Sequence, residues 1–182
     1  MFANQARKRA ILLTGPPGTG KTTALRRVAE ALAGWRIRGF TTEEIRSAGQ
    51  RLGFRLETFD GRSLVLARID LRSPHRVGRY GVDVNALDSL AESALSVVEP
   101  ADVYLVDEIG KMECLSTRFV KAMTMLLDSD RLLVASVAMH GGGLIEEVKQ
   151  RADVELWRLR REDRDELPAR IAARLTAWKH SR

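Results

Sequence analysis

A chain of 182 residues, 45% hydrophobic and 30% charged, can bury a core without help from disulfides or a structural metal. Cys114 stands alone, which excludes a cystine framework and a cysteine-based zinc site and fits a reducing, cytoplasmic compartment. The net charge of +6 suits an anionic partner, but the arginines are interleaved with Asp and Glu and aromatics are few, so nucleic acid is a weaker expectation than a small anion.

Behind the basic residues Arg7, Lys8 and Arg9, the run Ile11-Leu12-Leu13 is too short for a signal-peptide core or a membrane span, and it reads as a buried strand. It leads into Gly15-Pro16-Pro17-Gly18-Thr19-Gly20-Lys21-Thr22, the G-x-x-x-x-G-K-[ST] phosphate loop. Glycines permit the tight bend, and successive N–H groups make an anion-binding concavity at the positive end of the following helix. Pro16 and Pro17 have no N–H to give, so the donors are expected from Gly18 to Thr23. Lys21 would place a charge on the terminal phosphates of a nucleoside triphosphate such as ATP or GTP, and Thr22 would offer its hydroxyl to Mg²⁺.

A helix is predicted from near Thr23, with Leu25, Val28, Ala29 and Leu32 on its buried stripe and Gly34 placed to end it. From Ile37 to Leu71 the pattern alternates instead: Leu52, Phe54, Leu56 and Thr58, a turn at Asp60-Gly61, then Leu64 and Leu66. That is the signature of an antiparallel hairpin. Asn85 can cap a second helix striped by Leu87, Leu90, Ala91, Ala94, Leu95 and Val98. Val103 to Val106 reads as another buried strand. Ser116 can cap a third helix carrying Phe119, Val120, Met123, Leu126 and Leu127. Leu132 to Val137 is a further buried strand, and Leu144, Ile145 and Val148 suggest a short helix. A strand at Val154 to Arg158 precedes a final helix with Leu167, Ile171, Leu175 and Trp178, where Pro168 is tolerable only in the first turn. The expected architecture is one domain over residues 1–182: a doubly wound, mostly parallel α/β sheet of the P-loop type, with an antiparallel hairpin insertion.

Val103-Tyr104-Leu105-Val106-Asp107-Glu108 is an apolar strand ending in two carboxylates, at the strand tips where open α/β sheets bind ligands. Asp107 is expected to hold Mg²⁺ with Thr22, and Glu108 to polarise an attacking water.

Four runs resemble one family: Gly39-Phe40-Thr41-Thr42-Glu43-Glu44-Ile45-Arg46, Gly53-Phe54, Arg76-Val77-Gly78-Arg79-Tyr80-Gly81-Val82-Asp83 and Asp107-Glu108-Ile109-Gly110-Lys111-Met112-Glu113. With the phosphate loop, they are similar to the small P-loop nucleoside-triphosphatases related to the so-called cancer-related nucleoside-triphosphatase. The likeness spans nearly the whole chain. It implies hydrolysis of ATP, GTP and other triphosphates with little base preference, on a fold close to nucleotide kinases, and nucleotide contacts at Gly15 to Thr22 and along Val103 to Gly110, which includes Ile109. The chain departs from the family pattern at Asp163-Arg164-Asp165 and at His140-Gly141.

Arg76, Arg79, Arg160, Arg161 and Arg164 are candidates for a cation on the transferring phosphoryl group, and none is singled out by sequence. Glu43 and Arg46 could face the nucleotide or pair with one another. His75 and His140 have no partners spaced for metal binding or a nucleophilic triad, and are read as structural or exposed. The leading reading is an Mg²⁺-dependent nucleoside-triphosphatase, expected to act as a monomer with no membrane partner. A nucleotide or polynucleotide kinase and a nucleotide-gated RNA-binding switch are the competing readings.

Overall fold

The computed structural model describes residues 8–181. In chain order the elements are β1 (Ala10–Thr14), α1 (Lys21–Ala31), β2 (Ile37–Ser47), β3 (Gln50–Thr58), β4 (Ser63–Arg68), β5 (Arg76–Val77), β6 (Tyr80–Val82), α2 (Val84–Ala94), β7 (Val103–Ile109), α3 (Thr117–Asp128), β8 (Leu132–Val137), α4 (Leu144–Glu147), β9 (Val154–Arg158) and α5 (Leu167–His180). The strands form one sheet in the order β5-β6-β4-β3-β2-β7-β8-β1-β9. From β2 to β9 every pairing is parallel; from β2 out to β5 every pairing is antiparallel.

Alternation along the central strands sets the layers. Ile11, Leu13, Val103, Leu105, Leu132 and Val134 point to one face, where they pack with Leu25 and Val28 of α1 and Ile171 and Leu175 of α5. Leu12, Tyr104, Val106, Leu133 and Ala135 point to the other, against Leu87 and Leu90 of α2 and Phe119 and Met123 of α3. Both faces are covered, which is why these strands read as unbroken apolar runs. Each fully buried Ile or Leu here contributes roughly 1.5–3 kcal/mol. The backbone of β2 approaches β7 so closely that a Cβ on Gly39 would lie 2.0 Å from the Leu105 carbonyl oxygen, and Gly39 also adopts φ 107°. No other residue type meets both demands.

The predicted fold class is the observed one, with a larger antiparallel part than a single hairpin. β2 runs past the parallel core, turns at Ala48-Gly49 and pairs with β3, and the short β5–β6 ribbon closes the edge. α2 is capped by Asp83, whose side chain accepts from the Ala86 N–H at 3.2 Å, two residues ahead of the expected Asn85. The helix ends at Ala94, and Val98 is 86% exposed instead of completing the buried stripe. α1 starts at Lys21, ends at Ala31 and is capped by Leu32; Gly34, at φ 85°, lies in the turn beyond it. Ser116 caps α3 as predicted, accepting from Phe119 N–H at 2.9 Å, and Pro168 sits in the first turn of α5. Arg7 of the basic run lies outside the described residues. No described helix is long and apolar enough to cross a membrane.

Candidate active site

The loop from Gly15 to Gly20 leaves the tip of β1 and enters α1 directly, with Gly20 as the residue before the helix at φ 94°. The loop braces itself: Thr19 donates both its N–H, at 3.4 Å, and its hydroxyl, at 2.9 Å, to the Pro16 carbonyl. Gly15 packs against the segment after β9, where a Cβ would stand 2.8 Å from the Leu159 carbonyl oxygen. Lys21 Nζ donates to the carbonyls of Gly15, at 2.9 Å, and Pro16, at 3.3 Å, and so lies folded over the concavity. Thr23 is exposed on the first turn.

Two strands away, the tip of β7 brings Asp107 to this helix end. Thr22 Oγ1 donates to Asp107 Oδ2 at 2.6 Å. Two contacts missed by sequence reasoning complete the carboxylate's shell. The Thr42 N–H reaches Oδ2 at 3.2 Å, and Ser136 Oγ donates to Oδ1 at 3.0 Å. Thr42 also donates its hydroxyl to the Asp107 carbonyl at 2.5 Å. Ser136 comes from β8, the strand interposed between β1 and β7; a serine inside the apolar run Leu132 to Val137 is the one signal the sequence carries, and the structure buries it fully. Burial pushes the Asp107 carboxyl upward from its ordinary value even against these hydrogen bonds and the Lys21 charge. With the Thr22 hydroxyl beside it, the carboxylate forms an all-oxygen donor set suited to a hard divalent cation such as Mg²⁺.

Glu108 follows through a cis peptide and is only partly buried. Burial raises its pKa; Lys21 opposes that shift and the Asp107 charge adds to it. Val103, Tyr104, Leu105, Val106 and Ile109 are all fully buried in the sheet, so of the run from Val103 to Gly110 only the polar tip faces the loop region. Beyond Gly110 the chain turns, with the Cys114 N–H donating to the Gly110 carbonyl at 3.0 Å, and brings Glu113 back beneath it. The Glu113 carboxyl is buried, and that burial pushes its pKa up to about 8. A Cβ at Gly110 would stand 2.9 Å from Glu113 Oε2 and 3.5 Å from the Glu108 carboxyl carbon, so the glycine lets the two acids close around it. The Cys114 thiol is raised to about 11 by burial, which leaves it a poor nucleophile.

The arginine candidates are dispersed. Arg76 donates to the Arg79 carbonyl, and Arg79 donates to the Arg51 carbonyl and lies over the Tyr80 ring, so both are occupied within the β5–β6 ribbon. Arg160 and Arg161 line a 410 Å³ cleft beside Pro16, Pro17 and Thr19. Arg164 stays beside Asp165. Glu43 and Arg46 do not pair with one another: Glu43 meets Arg55 at 3.3 Å across the β2–β3 ladder, and Arg46 meets Glu44 at 2.6 Å. His75 and His140 are exposed, and no described group of His, Cys, Asp and Glu has a metal-holding arrangement by itself.

A phosphate loop at one strand tip, joined to an acidic strand tip by a threonine–aspartate hydrogen bond, defines a P-loop NTPase. A family model described as NTPase matches residues 10–172. The nucleoside-triphosphatase THEP1 of Thermotoga sp. (strain RQ2) is 39% identical over 158 residues, 86% of this chain and 90% of that protein. The human cancer-related nucleoside-triphosphatase is 36% identical over 178 residues, 87% of this chain and 92% of that one. The solution structure of a human cancer-related nucleoside triphosphatase superposes with a TM-score of 0.80 at 34% identity, covering 93% of this chain and 98% of the other. The crystal structure of THEP1 from Aquifex aeolicus gives 0.78 at 30% identity, covering 91% and 98%. The chain belongs to this nucleoside-triphosphatase family.

Proposed function

We propose that this chain, acting as a single domain, hydrolyses nucleoside triphosphates to the diphosphate and phosphate, with Mg²⁺ and with little preference among bases. The observation that carries the reading is the meeting of Thr22 with Asp107 beside Lys21, because it sets a cation site against a polyphosphate site. In this reading the N–H groups from Gly18 to Thr23 cradle the phosphates, and Lys21 exchanges its loop carbonyls for phosphate oxygens. Thr22 and Asp107 would hold Mg²⁺, which when bound offsets charge on the transferring group. Ser136 and Thr42 fix the orientation of Asp107, and Glu108 accepts a proton from the attacking water.

Broad base tolerance is supported by the cleft beside Pro16 and Pro17. Its arginines, Arg158, Arg160 and Arg161, are exposed, and such planar groups can stack on any base without reading its edge. We take the chain to act as a monomer in the cytoplasm; for the compartment, the lone Cys114, its thiol kept protonated, fits a reducing environment. The direct test is phosphate release from ATP, GTP, CTP and UTP, each with Mg²⁺ and with excess chelator. Comparable release from all four, abolished by chelator, is expected; release that survives chelation would remove the metal, and activity on one base alone would remove the breadth.

A further inference from the structure

A second cavity, of 290 Å³, is lined by Glu108 and Gly110 and by none of the phosphate-loop residues. Its wall is Phe54, Leu66, Val77, Met112 and Ala138, and its acids are Glu108 and Glu113. Three of the five apolar residues come from the antiparallel extension, which contributes nothing to the loop itself. Hydrolysis needs room for one attacking water, whose share of liquid volume is about 30 Å³. An apolar chamber of this size approaches the lower end of small-molecule sites, roughly 300 Å³. Glu108 and Thr42 join this cavity to the tip of β7: both line it, and the Thr42 N–H donates to Asp107 Oδ2 at 3.2 Å.

We propose that this cavity is a phosphoryl-acceptor site for an uncharged or cationic small alcohol with an apolar body, seated with its hydroxyl at Glu108. This rests on the nucleotide reading above and adds an acceptor to it. The lining has no arginine, its lysine and histidine, Lys111 and His140, are exposed, and of its two carboxyl groups Glu113 keeps its proton at neutral pH. Anionic acceptors such as nucleoside monophosphates or nucleic-acid ends would therefore find no arginine fork for their phosphates and would stand against Glu108, and are disfavoured. The apolar wall receives the hydrocarbon or ring portion, and Glu113, buried beside Gly110, offers a second polar contact for a hydroxyl-rich ligand. In the transfer, a bond forms between the acceptor oxygen and the γ-phosphorus. The bond from that phosphorus to the β–γ bridging oxygen breaks, and its electron pair leaves with the nucleoside diphosphate. The hydroxyl proton passes to the Glu108 carboxylate.

The test uses the full chain with ATP and Mg²⁺, and with benzyl alcohol, adenosine or pyridoxine as probes and AMP as the anionic control, read by ³¹P NMR. A phosphate monoester from at least one uncharged probe, and none from AMP, is expected. Val77→Trp, which fills the cavity from a short edge strand, should lower the ratio of ester to free phosphate at least about tenfold, the scale on which a filled apolar pocket discriminates. If that variant does not fold, Ala138→Met enters the same space and is read the same way. Free phosphate accumulating with no ester from any uncharged probe would overturn the acceptor site while leaving hydrolysis intact. Ester from AMP in preference to the neutral probes would overturn the charge argument, and an unchanged ratio in the folded variant would overturn the location. Neither ester nor free phosphate would overturn the nucleotide reading, and this proposal with it.

Discussion

Thr22 Oγ1 and Asp107 Oδ2 lie 2.6 Å apart across 85 residues of sequence, joining the first turn of α1 to the tip of β7. β8 lies between β1 and β7, and from it Ser136 donates to the other carboxylate oxygen, Oδ1, at 3.0 Å. The carboxylate is held from two strands and a helix before any ligand arrives. Pre-organisation of this kind spares the site an ordering cost on binding.

Ser136→Ala tests that shell. Removing one donor from a buried carboxylate that would hold the metal is expected to raise the Mg²⁺ concentration for half-maximal phosphate release by about 10- to 100-fold, with activity recovered at saturating Mg²⁺. An unchanged Mg²⁺ titration would show that Ser136 only fills space.

Lys21→Ala removes the cation folded over the loop. Loss of phosphate release by about 10²- to 10³-fold is expected, the scale of one pre-organised donor in a phosphate site. Calorimetry should show weakened nucleotide uptake in parallel, and full-strength binding would move Lys21 from gripping phosphate to some other task.

Glu108→Gln separates binding from turnover. The amide keeps the shape and loses the proton acceptor, so turnover should fall about 10²- to 10⁴-fold while nucleotide affinity holds. Turnover within a few-fold of the parent would take Glu108 out of the hydrolytic step.

Glu113 makes stability depend on pH in a predictable direction. Its carboxyl ionises near the ordinary value of 4.5 in the unfolded chain and holds its proton up to about 8 in the fold. Between those values the folded state binds the extra proton, so this group's contribution falls as pH rises through the window and is flat above it. Glu113→Gln should abolish the slope, and the Tm difference between variant and parent should grow in the variant's favour from about pH 5 to about pH 8. Parallel Tm profiles over that range would show that Glu113 is solvated or paired as a carboxylate.

The phosphate loop, the strand ending in Asp107-Glu108 and most of the helices were legible because their demands are local. A glycine-rich turn, a lysine and a hydroxyl residue in contiguous positions carry their geometry with them, and period-2 or helical spacing reveals which faces are buried. Asn85 was mistaken for the cap of α2 because Asp83 and Asn85 are both competent caps, and only the hydrogen bond of the Asp83 carboxylate to Ala86 separates them. Ser136, Thr42 and the paired acids Glu108 and Glu113 depended on which strands lie side by side and on how the chain folds back at Gly110. Hydrophobic periodicity encodes the faces of a strand and not its neighbours. The loop and its acids were therefore written in the sequence, whereas the shell around Asp107 and the chamber behind Glu108 were decided by strand order and packing in three dimensions.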